Sequence, residues 1–405
     1  MKKTLIALAA LAATASFAQV TLSGRAAMGV STYSATGATA GVGADIATRT
    51  KVDDYSSRLR FAVNEDLGGG MRAFGVYEFG LNFDTGTGNG QAATANSATA
   101  FNGSRESHVG IGNNLLELRL GRQNVYWTQG DLSDQGANYI GKDSFSDSYT
   151  RVANTRQNNA ILLNLNSGAG AFAGSQVYWA PEVSNEAAPA GSPSATQTNN
   201  ATTWGGKLNW DQGKVHLMAD YQKRSNITAA GDTSAFGTNT TSFDATSIKL
   251  GAGYRYAAGS MVGVHYWDMK RELIEPGVTG NAAATVQAVA GVTGGSITGG
   301  WKQTGWAVNV AHNLGNGLTG YANYGVLNNQ NGTSSNADLD DSGSRFYTLG
   351  LRKDLSKRTG IFTSYGKIQN GAAGTYSPAG GSFTPAVTAA GASPTYFLVG
   401  MMHNF

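Results

Sequence analysis

Along this chain apolar and polar residues alternate one by one, in stretches of about ten residues, and helical periodicity is nearly absent. Sixteen such stretches can be read: 20–31, 56–66, 71–83, 105–113, 115–123, 156–166, 171–180, 202–210, 214–224, 244–256, 260–272, 301–312, 317–327, 344–354, 358–369 and 395–405. In SSRLRFAVNED (56–66), Leu59, Phe61 and Val63 share one parity, and Arg58, Arg60 and Asn64 share the other. LLELRLGRQ (115–123) sets Leu116, Leu118 and Leu120 against Glu117 and Arg119. SIKLGAGYRY (247–256) sets Ile248, Leu250, Ala252, Tyr254 and Tyr256 against Lys249 and Arg255. A period of two is that of a strand with two unlike faces.

The connections alternate in length. LGGG (67–70), Asn114, DQG (211–213), AAG (257–259), LGNG (314–317) and LSK (355–357) read as tight turns. The remaining connections are long and rich in Gly, Ala, Ser, Thr and Asn. Short turns at one end and long loops at the other are the layout of a transmembrane antiparallel β-barrel. The expected fold is therefore all-β, with sixteen strands, short periplasmic turns and long extracellular loops. An Arg facing lipid at mid-bilayer costs about 2–4 kcal/mol. The Leu/Phe/Val parity is thus expected to meet lipid and the Arg parity to line a watery lumen. Tyr33, Phe83, Tyr178, Trp179, Trp204, Trp210, Tyr221, Tyr256, Tyr266 and Trp301, near strand ends, are expected to form interfacial girdles.

The first residues, MKKTLIALAALAATASFAQ, read as an export signal. Lys2 and Lys3 form its basic end, Leu5 to Ala13 its apolar core, and Ser16-Phe17-Ala18 its cleavage site. Residues 1–18 are expected to be removed, leaving 19–405 as one barrel domain. The remaining sequence has no apolar run long enough for a helical span. The expected location is the cell outer membrane.

Composition sharpens this picture. Only 14% of residues are charged, against about 25% in average chains, and Gly accounts for 56 of 405. Mean hydropathy is −0.23, as expected when only alternate strand residues meet lipid. Cysteine is absent, which removes disulfides and thiolate metal sites. Net charge is +3, of which Lys2 and Lys3 supply two, so nucleic acid is not an expected partner. The five histidines are scattered over different strands, and neither HExxH nor GxSxG occurs. The stretch 338–349 has the glycine of a calcium loop but Leu349 where a bidentate Glu is needed. No enzyme activity, metal or cofactor is expected.

Longer segments resemble a known family, the general porins of β-proteobacteria, related to the neisserial porins. They are VTLSGRAAMGV (20–30), SRLRFAVNEDLGGGMRAFGVYEFGLNFDTG (57–86), RESHVGIGNNLLELRLGRQ (105–123), LGLRKDLSKRTGIFTSYGKIQN (349–370) and the terminal VGMMHNF. Arg60 and Asn113-Asn114 depart from the family pattern, and Arg60 alters the charge of the lumen. The resemblance implies a homotrimer, passive diffusion of ions and small hydrophilic solutes, and a third long loop folded into the lumen. It also implies outer-membrane lipid and lipopolysaccharide as surroundings. Phe405 would be the signal read by the β-barrel assembly machinery.

The third long loop, 124–155, carries Asp131, Asp134, Asp143 and Asp147 against Lys142 and Arg151. Arg25, Arg58, Arg60, Arg72 and Arg119 fall on the lumen parity, and Arg156 opens the sixth strand. Arg122 ends the fifth strand, where it is expected to reach the rim. Rings of opposed charge at a narrow point set pore selectivity. Some of these arginines are alternatively expected to pair with Glu65, Asp66, Glu78 or Glu117 nearer the periplasmic mouth. The basic wall favours a weak anion preference. Tyr126, Trp127 and Tyr139 leave open a substrate-specific porin that binds its solute at the loop-three constriction.

Overall fold

The computed structural model describes residues 19–84, 101–125, 156–181, 202–227, 243–273, 300–333, 338–377 and 389–405. The export signal, 1–18, lies outside them. The described chain is a single antiparallel sheet closed on itself. Its strands are β1 (Gln19–Thr36), β2 (Ile46–Asp54), β3 (Arg58–Gly68), β4 (Met71–Leu81), β5 (Phe101–Gly112) and β6 (Leu116–Asn124). There follow β7 (Arg156–Leu165), β8 (Gln176–Pro181), β9 (Thr202–Gln212), β10 (Val215–Ile227), β11 (Phe243–Ala257) and β12 (Ser260–Leu273). The circuit ends with β13 (Gly300–Gly315), β14 (Leu318–Leu327), β15 (Asn331–Thr333), β16 (Ser344–Asp354), β17 (Thr359–Asn370) and β18 (Ser393–Asn404). Successive strands pair in chain order, except that β2 and β3 both pair with β1, and β14 and β15 both with β13; β1 closes the ring against β18 from Arg25↔Asn404 to Thr36↔Ser393. Closure leaves no strand edge to be satisfied by lipid.

Two staves are each built from two segments, so the eighteen strands make the sixteen staves expected. The lower half of β1 pairs with β3 and the upper half with β2. Between β2 and β3 the chain kinks at Ser56, where φ is 64°. Side chains hold this kink. Ser57 Oγ accepts the Ala27 amide at 2.9 Å, and Arg25 Nη2 donates to the Tyr55 and Ser56 carbonyls, each at 3.2 Å. β15 likewise continues β14 and pairs with the start of β13.

Several boundaries differ from the expected ones. β1 runs on to Thr36, and β2 adds strand to what reads as the first long loop. Residues 167–172 form a 3₁₀ turn before β8, where alternation suggested strand from 171. Small residues there alternate by accident of composition. Tight turns occur where Gly, Asn and Asp cluster; Gly68, Gly69 and Gly70 all take positive φ, and Asp66 Oδ1 accepts the Gly68 amide at 2.8 Å.

The faces follow the parities. Leu22, Phe61, Leu120, Ile248, Leu250, Val399 and Met401 are exposed on the outside, as a lipid-facing surface requires. Trp179, Trp204 and Tyr256 lie on that outer face near strand ends, Tyr266 lies on it at mid-strand, and Phe83 is exposed just beyond β4. Tyr33, Tyr178 and Trp301 do not join the girdle. All three are buried on the inner face, because their positions share parity with Ala27, Ala180 and Gln303.

The inner face carries a repeated device. Large rings stand directly across from glycines on the next strand: Phe74↔Gly110, Trp267↔Gly305, Phe346↔Gly325, Phe362↔Gly400 and Tyr396↔Gly366. A β-carbon on any of these glycines would fall 2.0–2.6 Å from the facing ring. The rings therefore lie flat over bare backbone and do not project into the lumen. That gives these five glycines a structural reason.

Candidate functional site

The inner wall of β3, β4, β5, β6 and β7 is where charge concentrates. Arg58 and Arg60 project inward from β3 because Phe61 and Val63 take the lipid side. Arg60 Nη1 lies 3.4 Å from Glu106 Oε2 and 3.7 Å from Glu78 Oε2, its cross-strand neighbours. Arg105 Nε donates to Glu78 Oε1 at 2.6 Å. Arg58 makes no ion pair with any described residue, although it lies within electrostatic reach of Arg60, Arg105, Glu78 and Glu106. Arg156 feels Arg105, Glu106 and Glu78, and its Nε is buried without a hydrogen-bond partner among the described residues. Arg58, Arg60, Arg105 and Arg156 thus gather around Glu78 and Glu106, and positive charge is in excess.

Arg72 and Arg119 are elsewhere, at the periplasmic ends of β4 and β6. They flank Glu117: Arg72 Nη2 donates to Oε2 at 2.9 Å and Arg119 Nε to Oε1 at 2.6 Å. Asn164 Nδ2 adds a third donor at 3.3 Å. Glu117 is almost wholly buried, and a buried carboxylate requires such charge-assisted partners. Arg72 also lies over the Phe74 ring, 5.0 Å from its centroid. This is the local pairing anticipated as the alternative for some of the arginines. Arg25 lines the inner face but spends its donors on the β2–β3 kink. Arg122 ties the end of β6 to β7 through Asn158 Oδ1 and the Arg156 carbonyl.

Arg105 escaped the sequence reading. Val109 and Ile111 are exposed to the outside, so strict alternation puts residue 105 outside with them. Register shifts around Phe79, opposite Ser104, break that alternation and bring Arg105 to Glu78. A bulge leaves no mark in a period-two pattern. The acidic candidates Asp131, Asp134, Asp143 and Asp147 lie outside the described residues.

Further round the ring, on β10, Asp220 stands at matched register between Lys207 and Lys249. Asp220 and Lys249 are both buried on the inner face. At the periplasmic end of the same wall, Arg255 grips Asp211 with two bonds of 2.6 and 2.7 Å. The inner wall thus carries charge in two separate sectors, an arrangement with no place in a packed apolar core.

The sequence pattern of the Gram-negative porin family matches residues 4–373. The chain is a Gram-negative porin. This porin is 31% identical over 160 residues to the major outer membrane protein P.IB of Neisseria meningitidis serogroup B, covering 38% of the chain and 45% of that relative. It is 30% identical over 187 residues to the same-named protein of Neisseria gonorrhoeae, covering 45% and 49%. The porin therefore spans about half the length of these relatives, or less, in the matched region. Among solved structures it superimposes on an anion-selective porin from Comamonas acidovorans with a TM-score of 0.66 at 21% identity, covering 96% of this chain and 100% of that one. A trimer form of OmpT from Vibrio cholerae gives 0.60 at 11% identity, covering 96% and 99%. At such identities the structural likeness concerns the fold alone. Family and barrel together place the porin in the outer membrane.

Proposed function

We propose that this porin is a general diffusion channel, with no enzymatic role, that passes ions and small hydrophilic solutes and weakly prefers anions. The observation that carries the anion preference is the excess of arginine over glutamate around Glu78 and Glu106 on the inner wall. Fixed charge lining a narrow lumen raises the local concentration of counter-ions and so sets selectivity. The Comamonas porin that shares this fold is anion-selective, the same sign. Asp131, Asp134, Asp143 and Asp147 on the third loop are proposed to face this wall and moderate it.

The working unit is proposed to be a homotrimer, as in the OmpT trimer form. The outward side of β1, β2 and β18 supports this: it carries Val30, Val52, Phe397 and Val399 with the hydroxyls of Thr32, Thr50 and Thr395, and its one acidic residue on β2, Asp54, stands at the end of that strand. Export through a cleaved signal over 1–18 and recognition of Phe405 by the assembly machinery belong to the same proposal. Reversal potential in a potassium chloride gradient across a planar bilayer tests it. A potential of the anion-selective sign is expected. A cation-selective potential overturns the preference, and absence of conductance overturns the channel. Block by one solute at low concentration would favour the substrate-specific reading instead.

A further inference from the structure

β1 runs unbroken through the wall, and its inward side carries Arg25, Ala27, Ser31 and Tyr33, all buried. The stave beside it changes parity part-way. Above the kink, Tyr33 faces Arg49, Ser31 faces Lys51 and Gly29 faces Asp53, so the odd-numbered residues of β2 point inward. Below it, Arg25 faces Arg58 and Ser23 faces Arg60, so the even-numbered residues of β3 do. This stave holds one residue more than the length of β1 it covers. Had the parity of β2 run on, Leu59, Phe61 and Val63 would line the lumen, and Arg58 and Arg60 would meet lipid. The extra residue is what turns these two arginines into the pore.

An inserted residue disrupts the ladder, and the backbone groups left over need other partners. Ala27, facing the kink, accepts the Tyr55 amide at 2.8 Å and donates its own amide to Ser57 Oγ at 2.9 Å. The Ser57 amide donates to Asp54 Oδ1 at 2.8 Å, and its carbonyl accepts from Leu81 on β4 at 2.9 Å. Ser56, at φ 64°, takes a left-handed conformation that costs a serine energy. On either side of its Cα, the Tyr55 and Ser56 carbonyls both accept from Arg25 Nη2 at 3.2 Å. One guanidinium nitrogen thus holds two successive carbonyls, and Arg58, directly across from Arg25, follows two residues after Ser56. Tyr55 anchors the kink from within, buried edge-on against Phe362 at 5.6 Å between ring centroids.

We propose that Arg25 and Ser57 are positioning residues for ion selectivity: they clamp the β2–β3 kink and so aim Arg58 and Arg60 into the lumen. The proposal rests on the anion preference argued above and names what sets the direction of its arginines. Arg25 acts through the carbonyls it holds, and Ser57 through the amide it accepts; neither needs to touch the passing ion.

Reversal potentials in a potassium chloride gradient test this with variants that loosen the clamp and keep the net charge. Ser57→Ala deletes the hydroxyl, and Arg25→Lys keeps the charge but exchanges the planar guanidinium fork for a single ammonium. Both should shift the potential toward cations, in the direction of R58Q/R60Q. Ser57→Thr, which retains the hydroxyl, should keep the native value. Fewer channels at an unchanged potential in both clamp variants would make the kink merely structural and overturn the proposal. The chain contains no cysteine, so a water-soluble charged thiol reagent applied to Arg58→Cys and to Leu59→Cys reports which residue faces the lumen. Arg58→Cys should react and Leu59→Cys should not. Equal reaction overturns the proposal, and this pair decides alone should the clamp variants not fold. The native channel separates the two readings. A cation-selective native potential with the clamp shift intact defeats the anion preference and leaves the positioning standing. A shift in R58Q/R60Q with none in Ser57→Ala and Arg25→Lys defeats only the positioning.

Discussion

Gly366 faces Tyr396 directly across the inner wall, and a β-carbon at that position would fall 2.0 Å from the ring. Gly366→Ala must therefore push the ring off the wall. The expected outcome is a loss of about 1–3 kcal/mol of stability, read as a lower urea midpoint, together with smaller unit conductance. Gly320→Ala on the lipid face, where the nearest atom is 3.6 Å away, should change neither. Charge acts as locally as shape. Glu117 accepts from Arg72, Arg119 and Asn164, so Glu117→Gln should cost about 1–3 kcal/mol. It should also move the reversal potential toward anions, because two arginines lose their counter-charge. An unchanged potential would mean that this trio stands outside the selective zone. Glu117 and both arginines were legible as lumenal from alternation alone. Their mutual pairing was legible only as one of two outcomes, since parity gives the face and not the partner.

At the scale of elements the seam decides assembly. Gly24 and Phe405 exchange both backbone hydrogen bonds, at 2.9 and 3.1 Å, and the Phe405 ring lies over Gly24 on the outer surface. Deletion of Phe405 should slow barrel formation, seen as unfolded chain persisting on unheated gels, while assembled channels keep their normal conductance. Gly24→Leu should have the same effect, since a β-carbon at Gly24 would sit 2.4 Å from the ring. If both variants assemble at the native rate, the seam contact is dispensable. Most strands were legible because a one-residue slip would turn every charge toward lipid. The β2–β3 kink, which shifts the pairing on β1 by one residue, and the paired shifts near Phe79 were not, because each depends on which residues of the neighbouring strand stand opposite.

For the whole molecule, selectivity is the sum of fixed charges across the lumen. Replacing Arg58 and Arg60 by Gln should shift the reversal potential toward cations. The difference from the native channel should be large at 0.1 M salt, where the Debye length is about 10 Å, and small at 1 M, where it is about 3 Å. A shift that is independent of salt would point to a change of pore shape and not of field.

The sequence by itself determined the class of fold, the number of staves, the two faces of each strand and the membrane that suits them. These follow from local rules: side chains alternate along a strand, and lipid excludes charge from one of the two faces. Only the tertiary structure decided which charges meet. Arg25 is held by a kink, Arg72 and Arg119 by Glu117, and Arg105 reaches Glu78 through a bulge. It also decided that Tyr33, Tyr178 and Trp301 take the inner face. Register between strands distant in sequence, and the bulges that shift it, set those meetings, and neither has a local signature in the chain.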